Sequence, residues 1–187
     1  MVQQIISNEE LALHILFVCT GNICRSPTAE RLAAACGSRL QLPDFRSSSA
    51  GTRAVIAHPI HHDAAAVLEQ LGGDAANFAA RQFRPRIAAD ADLVLTMTKA
   101  HRDAVLELAP GLLRRTFTLT EAAQLASQFD VRHVADFAAC RPKLAAHTAP
   151  DIPDPIDQSP DIFATVGSQI AGLLPPILEV CRRSAAD

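Results

Sequence analysis

Two short segments of this 187-residue chain are almost continuously apolar, LHILFV at residues 13–18 and DLVLTM at residues 92–97. A strand that is buried on both faces of a parallel sheet has this pattern, because neither face meets water. Segments with apolar residues at helical spacing lie between and after these runs. Strands that alternate with helices are typical of an α/β fold with a parallel sheet, whose ligands bind at the carboxyl ends of the strands.

The remaining elements follow from turn signals and apolar spacing. Shorter strands are predicted at residues 45–50 and 115–119. Helices are predicted at residues 27–39, 58–71, 99–108, 121–128, 131–146 and 161–174. Pro175-Pro176 should interrupt the last of these before a final helical segment at 177–183. Residues 150–160 contain four prolines and predict a rigid loop.

Length and charge limit the possible partners. A chain of 187 residues fits one domain, which we predict to span residues 1–187. With 17 basic and 20 acidic residues the formal charge is -3, and only 4% of the residues are aromatic. Neither a basic surface nor a set of stacking rings is available for nucleic acid, and no basic block marks a membrane surface. We therefore expect neither partner.

The cysteines and the first residues bear on the compartment. Five cysteines at irregular positions do not form the even, dense set that a secreted disulfide scaffold needs. Residues 1–10 contain no Lys or Arg and end in two glutamates where the apolar core of an export signal would begin. We expect a cytoplasmic protein with reduced thiols.

The loop after the first predicted strand carries the chemistry. It reads CTGNICRS from Cys19 to Ser26, and Pro27 follows at a helix start. Gly21 and Asn22 readily adopt the positive φ that a tight loop needs, and Ser26 is a candidate N-cap. Consecutive N–H groups and a helix N-terminus can converge on one anion. The Lys and Ser/Thr pair of a nucleotide-binding loop is missing, so the pattern predicts a phosphate site of another kind.

Cys19 and Arg25, separated by five residues, supply a nucleophile and an anion-binding fork. The N–H dipoles and the guanidinium favour a thiolate at Cys19 and bind a phosphate beside its sulfur. This arrangement predicts phosphoryl transfer through a phosphocysteine, with Arg25 holding two phosphate oxygens and Ser26 donating its hydroxyl to the sulfur. The reaction also needs a carboxyl as acid and base, and the rigid DIPDP loop offers Asp151 and Asp154.

These motifs resemble the low-molecular-weight protein-tyrosine phosphatases. The similarity covers VCTGNICRSP at residues 18–27, SAGT at 49–52, ARQ at 80–82, DLVLTM at 92–97 and the Asp-Pro pair at 154–155. It implies a three-layer, flavodoxin-like α/β fold with a four-stranded parallel sheet flanked by helices. It also implies a hydrolase without metal or organic cofactor that acts on phosphorylated proteins or small phosphomonoesters. We expect this enzyme to be a monomer.

The resemblance assigns roles to single residues. It implies that Cys19 is the nucleophile and that Asp154, in the Asp-Pro pair, is the general acid. The phosphate-binding residues that it implies are Thr20, Gly21, Asn22, Ile23, Cys24, Arg25 and Ser26. Ser49 is expected to hydrogen-bond with Asn22 and support the loop, and Cys24 can protect Cys19 through a reversible disulfide.

The rim of the expected cleft departs from the family. Members usually stack aromatic residues on the phosphotyrosine ring, whereas this chain has Val55, Ile156 and Asp157 at those places. Loss of a stacking partner, worth about 0.5–1.5 kcal/mol per ring, weakens selectivity for aryl substrates and leaves the chemical step unchanged. Ile23 matches the tyrosine-specific members, and the arginine-phosphatase branch has Thr at that position. The sequence therefore does not determine which leaving group the substrate carries.

Three alternatives use the same residues differently. Arsenate reductases share this fold and loop, but their thioredoxin-coupled form needs two further, closely spaced cysteines, and the chain has none between residues 36 and 140. A thiol-dependent arsenate transferase needs fewer cysteines, so this alternative stays open. A non-catalytic phosphate-binding module would not need the acid Asp154. A zinc site would need a C-x2-C pair, which is missing, and His58, His61 and His62 form no pattern with a second cysteine cluster.

Overall fold

Four parallel strands form the sheet of the computed structural model, which describes residues 13–144 and 149–186. The strands are β1 (His14–Cys19), β2 (Arg46–Gly51), β3 (Leu93–Thr96) and β4 (Thr116–Thr118). Their order is β2-β1-β3-β4, and every neighbouring pair is parallel. The predicted α/β fold with a four-stranded parallel sheet is confirmed, and each strand end differs from its prediction by one residue. The predictions for residues 1–12 and 145–146 lie outside the described residues.

Helices fill both faces of the sheet. The α-helices of the described residues are α1 (Arg25–Arg39), α2 (His62–Gln70), α3 (Lys99–Leu108), α4 (Leu119–Gln128), α5 (Asp136–Cys140) and α6 (Pro160–Ser184). Short 3-10 helices occupy Pro85–Ile87, Pro110–Arg115 and Arg141–Lys143. Strand β1 explains the layering, because its side chains alternate between the faces. Ile15 and Phe17 pack among residues of α1, α2, α4 and α6, whereas Leu16 and Val18 pack in a second cluster that includes Val105 of α3.

Helix α6 continues through Pro175 and Pro176, so the predicted interruption is wrong. Each proline removes one main-chain N–H donor from the helix, which is unfavourable. Leu174 precedes the pair and Ile177 follows it, and both side chains are buried in the core. Packing of both halves against the same core keeps the backbone helical across the two prolines, since tertiary burial outweighs local propensity.

Helix α6 is also long and apolar enough to cross a membrane by length and composition alone. Its apolar side chains, however, form a face that is buried against the protein. Phe163, Val166, Ile170 and Leu174 are each at most 3% exposed and belong to the main hydrophobic cluster. We therefore interpret α6 as a core helix.

Two further helix predictions are wrong at their starts. Helix α2 begins at His62 and not at residue 58. Pro59 disfavours a helical conformation at residue 58, and His61, whose N–H donates to the carbonyl of Ile23, has a non-helical ψ of 138°. Helix α5 begins at Asp136 and not at residue 131. The Asp136 carboxylate accepts the N–H groups of Arg132 (3.1 Å) and His133 (2.9 Å), which forms a turn before the helix.

The sequence alone suggests no role for the predicted helical stretch at residues 121–146. In the structure its described part covers the edge strand β4. Phe137 packs against Phe117 of β4 with ring centroids 5.7 Å apart. Arg141 lies over the same ring, donates to the carbonyl of Thr116 and pairs with Glu121 at 2.9 Å. These contacts occupy main-chain acceptors that an open sheet edge would present to other strands.

The topology also places the functional site. The chain leaves β1 toward β2 on one side, and returns across the sheet to β3 and β4 on the other. Ligands of open α/β sheets bind at this switch point, outside the carboxyl ends of the strands. Here that point lies after β1 and β3, where the loop that follows Cys19 begins.

Two glycines of α6 make a matched test of the packing of α6 on α2. A Cβ at Gly167 would lie 2.4 Å from Val67 Cγ1, whereas a Cβ at Gly172 would meet no atom within 4 Å. We expect Gly167→Ala to lower the free energy of unfolding by about 1–3 kcal/mol through overpacking. Gly172→Ala should raise it by up to about 1 kcal/mol, since alanine favours a helix. Urea denaturation measures both, and equal effects in the two variants would contradict the close approach.

Candidate active site

The loop from Cys19 to Cys24 is held by its carbonyl groups, which accept hydrogen bonds from the segment at residues 52–61. The pairs are Thr52 N to Cys19 O (2.9 Å), Arg53 N to Thr20 O (3.0 Å), Val55 N to Gly21 O (2.9 Å) and His61 N to Ile23 O (2.8 Å). Gly51 permits this approach, because a Cβ there would lie 2.4 Å from the Thr20 carbonyl oxygen. The outer side of the loop is therefore fixed by main-chain contacts.

The N–H groups of the same loop point the other way. In a trans peptide the N–H is antiparallel to the preceding C=O, so carbonyls that face outward turn the following N–H groups inward. Among the described residues, no acceptor receives the N–H groups from Gly21 to Arg25. Asn22 holds a φ of 57°, which lets the loop turn tightly. Inward N–H groups at the start of helix α1 form an anion-binding concavity.

Cys19 lies at the base of this concavity with its sulfur 3.0 Å from Ser26 Oγ. Ser26 Oγ already accepts a hydrogen bond from Asn22 Nδ2 at 2.9 Å. Its own proton can therefore be donated to the Cys19 sulfur or to the carbonyl of Ala50, which lies 3.5 Å away. The N-cap of α1 is Cys24, so the predicted capping role of Ser26 is wrong. Its hydroxyl contacts Cys19, Asn22 and the carbonyl of Ala50, and it does not cap the helix.

Asn22 is the centre of the support behind the loop. Its Nδ2 also donates to Ser49 Oγ at 2.8 Å, the bond expected from the resemblance, and its Oδ1 accepts the N–H of Arg81 at 2.9 Å. Ser49 in turn donates to Glu30 Oε2 at 2.5 Å. Burial raises the pKa of Glu30, against the smaller lowering effect of this hydrogen bond. Glu30 was missed from the sequence, although it lies one helical turn after Ser26.

Arg25 joins the loop to the predicted acid. The guanidinium is buried and donates to the carbonyl of Ile152 at 3.0 Å and to Asp154 Oδ2 at 2.5 Å. The Asp154 side chain is 46% exposed, so it can reach both the cleft and solvent. Asp151, the other candidate, lies outside this group, because its carboxylate accepts the N–H of Lys99 at 2.8 Å.

These groups open into a cleft of about 240 Å³. Its lining residues are Cys19, Thr20, Gly21, Ile23, Cys24, Arg25, Arg53, Val55, Asp154 and Ile156. The two predicted rim residues Val55 and Ile156 are among them, whereas Asp157 is exposed and does not line the cleft. The predicted nucleophile, the loop, a guanidinium and a carboxyl therefore meet in one cleft with an aliphatic wall.

Comparison with known proteins identifies the family of this chain. The sequence profile described as low molecular weight phosphotyrosine protein phosphatase matches residues 14–185. The chain belongs to this family. It is 38% identical over 102 residues to the low molecular weight protein-tyrosine-phosphatase Etp of Escherichia coli, a match that covers 54% of this chain and 66% of Etp.

Solved structures of the family have the same fold. The low molecular weight protein tyrosine phosphatase from T. tengcongensis superposes with a TM-score of 0.73 at 27% identity, covering 89% of this chain and 98% of that one. The YwlE arginine phosphatase from Geobacillus stearothermophilus gives a TM-score of 0.69 at 29% identity, covering 89% and 91%. The resemblance predicted from the sequence is confirmed, and the protein is a hydrolase of the phosphatase family.

Cys24, the second cysteine of the phosphatase loop, is held in its protonated form. Burial, helped by the charges of Cys19 and Asp154, raises the pKa of Cys24 to about 12. Cys24 is therefore a thiol at neutral pH and a poor nucleophile. All five cysteines are free, and a protective disulfide between Cys19 and Cys24 stays a prediction.

His101 is a member of the site that sequence patterns missed. It lies in the first turn of α3, is 8% exposed, and its Nε2 is 2.8 Å from Thr20 Oγ1. Burial, followed by the charge of Arg25, lowers the pKa of His101 to about 4. A neutral imidazole thus holds the Thr20 hydroxyl at the second position of the phosphatase loop.

A histidine–aspartate group lies beside the site at the start of α2. His61, His62 and Asp63 each place one possible ligand atom within 4.8 Å of the others. The positive end of the α2 dipole disfavours a cation at this position. His61 also stacks on Phe163 with ring centroids 5.0 Å apart, so its ring has a packing role. The absence of a metal requirement stays a prediction.

The buried imidazole of His101 predicts a loss of stability in acid. The pKa of His101 is lowered to about 4 in the folded state, from 6.5 in its ordinary range. Below pH 6.5 the unfolded chain therefore binds a proton that the folded chain excludes. As a result the free energy of unfolding falls with decreasing pH, until the pH reaches the pKa of the folded state. Relative to His101→Gln, the wild type should lose roughly 2–4 kcal/mol between neutral pH and about pH 4. Urea denaturation across this range tests it, and a constant difference would contradict a neutral buried imidazole.

Proposed function

We propose that this phosphatase hydrolyses phosphomonoesters, phosphotyrosine in proteins above all, through a phosphocysteine at Cys19. The observation that carries the proposal is the pairing of Arg25 with Asp154 beside the inward N–H groups of the loop. It supports a site at which anion-binding groups, the Cys19 sulfur and a carboxyl act together. A phosphate held by the loop N–H groups and Arg25 would lie against the Cys19 sulfur.

In the first step the thiolate of Cys19 forms a bond to phosphorus as the bond between phosphorus and the leaving oxygen breaks. Asp154 in its protonated form gives its proton to that oxygen, so the product leaves as a neutral alcohol or phenol. Negative charge on the phosphoryl oxygens is stabilised by the loop N–H groups and the Arg25 guanidinium.

In the second step a water molecule attacks phosphorus and Asp154 accepts its proton. The bond between sulfur and phosphorus breaks, and inorganic phosphate is released. The sulfur leaves as a thiolate, which the Ser26 hydroxyl at 3.0 Å stabilises. Because Asn22 donates to the Ser26 oxygen, the serine proton is free to be donated to the sulfur in both steps.

Phosphotyrosine is the first candidate substrate because Ile23 matches the tyrosine-specific members of the family. Phosphoarginine is the second candidate, since arginine phosphatases are among the similar solved structures and Val55 and Ile156 give the cleft wall no aromatic ring. Arsenate reduction has less support, because a thioredoxin-coupled relay needs a closely spaced pair of further cysteines. A non-catalytic phosphate-binding module needs no general acid, so it does not explain why Asp154 lies beside the phosphate site.

We further propose a cytoplasmic, monomeric and cofactor-independent enzyme. Five free thiols support a reducing compartment. The formal charge of -3 supports protein or small phosphomonoester substrates in place of nucleic acid, and the burial of the apolar face of α6 supports a protein without a membrane anchor there.

Cys19→Ser should abolish turnover of an aryl phosphate while phosphate still binds. The loop N–H groups and Arg25 persist, but a serine hydroxyl is a far weaker nucleophile than a thiolate. Turnover of p-nitrophenyl phosphate and phosphate binding by calorimetry measure the two effects. Cys36→Ser, in α1 and outside the cleft, is the matched control and should keep its activity. Retained turnover in Cys19→Ser would exclude the proposed nucleophile.

Asp154→Asn should lower kcat by about 10²–10⁴-fold for poor leaving groups and less for good ones, because an amide cannot deliver the proton. Asp151→Asn is the matched comparison, since that carboxylate only accepts the N–H of Lys99. A series of aryl phosphates with leaving groups of graded acidity measures the effect. If Asp151→Asn shows the larger loss and the steeper dependence on leaving group, the acid is Asp151.

A further inference from the structure

Arg53 follows β2 on a segment whose main chain is fixed against the phosphatase loop. Its N–H donates to the carbonyl of Thr20 at 3.0 Å. Gln82 holds the residues on either side, donating to the carbonyl of Thr52 at 2.8 Å and accepting the N–H of Ala54 at 3.0 Å. The Arg53 side chain therefore starts from a defined position on the wall of the cleft, which it helps to line.

The cleft contains a second cation besides Arg25. Its charged lining residues are the guanidinium groups of Arg25 and Arg53 and the carboxyl of Asp154. Asp154 pairs with Arg25, which is buried. No carboxylate among the described residues forms an ion pair with Arg53, whose side chain is exposed at the mouth. The charge of Arg53 also contributes to the low pKa of His101, which places positive potential beside the loop.

We propose that Arg53 binds a second anionic group of the substrate, the carboxylate of an acidic residue next to the phosphorylated residue of a protein. This inference rests on the proposed function and specifies its substrate class. The transferred phosphoryl group binds to Arg25 and the loop N–H groups. Arg53 is therefore available to bind a different anionic group. The rest of the wall is aliphatic, at Ile23, Val55 and Ile156. Since Arg53 lies exposed at the mouth, its partner is a group that extends out of the cleft, as a neighbouring residue of a peptide does.

Phosphotyrosyl peptides that differ only in the flanking residues, Glu, Gln or Lys, test this inference. For the wild type we expect kcat/KM to be roughly three- to tenfold higher with Glu than with Lys, and the ratio to fall as salt is added. Arg53→Gln should bring the ratio close to one, and Arg53→Glu should invert it. Arg114→Glu is the matched control for net charge, because Arg114 is exposed before β4 at the opposite end of the sheet.

The outcomes separate this inference from the proposed function. If the wild type hydrolyses every peptide with equal kcat/KM, or if Arg114→Glu shifts the ratio as Arg53→Glu does, the role of Arg53 is overturned and the phosphatase activity stands. If the wild type hydrolyses neither these peptides nor p-nitrophenyl phosphate, the proposed function itself fails. A small bisphosphorylated aryl compound forms a third arm. Dependence on Arg53 there, without dependence in the peptides, would overturn the acidic peptide as the ligand.

Discussion

The geometry of the catalytic loop depends on Asn22, whose side chain has every polar group occupied by protein. Its amide donates to Ser26 and Ser49, its carbonyl accepts the N–H of Arg81, and its main chain holds a φ of 57°. A buried polar group left without a partner costs about 1–3 kcal/mol, so each of these bonds restricts the others to one arrangement. That arrangement connects the loop to the start of α1 at Ser26, to β2 at Ser49 and to the segment at Arg81.

Sequence patterns predict the loop and its candidate nucleophile because the information is local. The strand, the Gly-Asn turn and the start of α1 are contiguous, and together they leave few arrangements for the residues between Cys19 and Arg25. The predicted acid is harder to identify from local patterns, since Asp154 lies 129 residues after Arg25 in the sequence. It could be selected because prolines on both sides make its loop rigid, and because the Asp-Pro pair matches a known family.

The features that sequence patterns missed or misplaced arise from contacts between distant segments. His101 meets Thr20 across 81 residues, and no spacing within either segment marks that contact. The two prolines of α6 are a local signal for a helix end, but burial of Leu174 and Ile177 in the same core overrides it. Ser26 has the residue type of an N-cap, yet Asn22 and Cys19 engage its hydroxyl. In each case packing or a buried hydrogen bond outweighs a local preference.

In the segment at residues 52–61 the main chain and the side chains have different roles. Its N–H groups hold the catalytic loop, and its side chains at 53 and 55 face the cleft. Substrate preference can therefore diverge by side-chain replacement on an unchanged catalytic frame, in evolution or in a designed library. Proline is the exception at positions 52, 53, 55 and 61, because it would delete a donor that the loop carbonyls need.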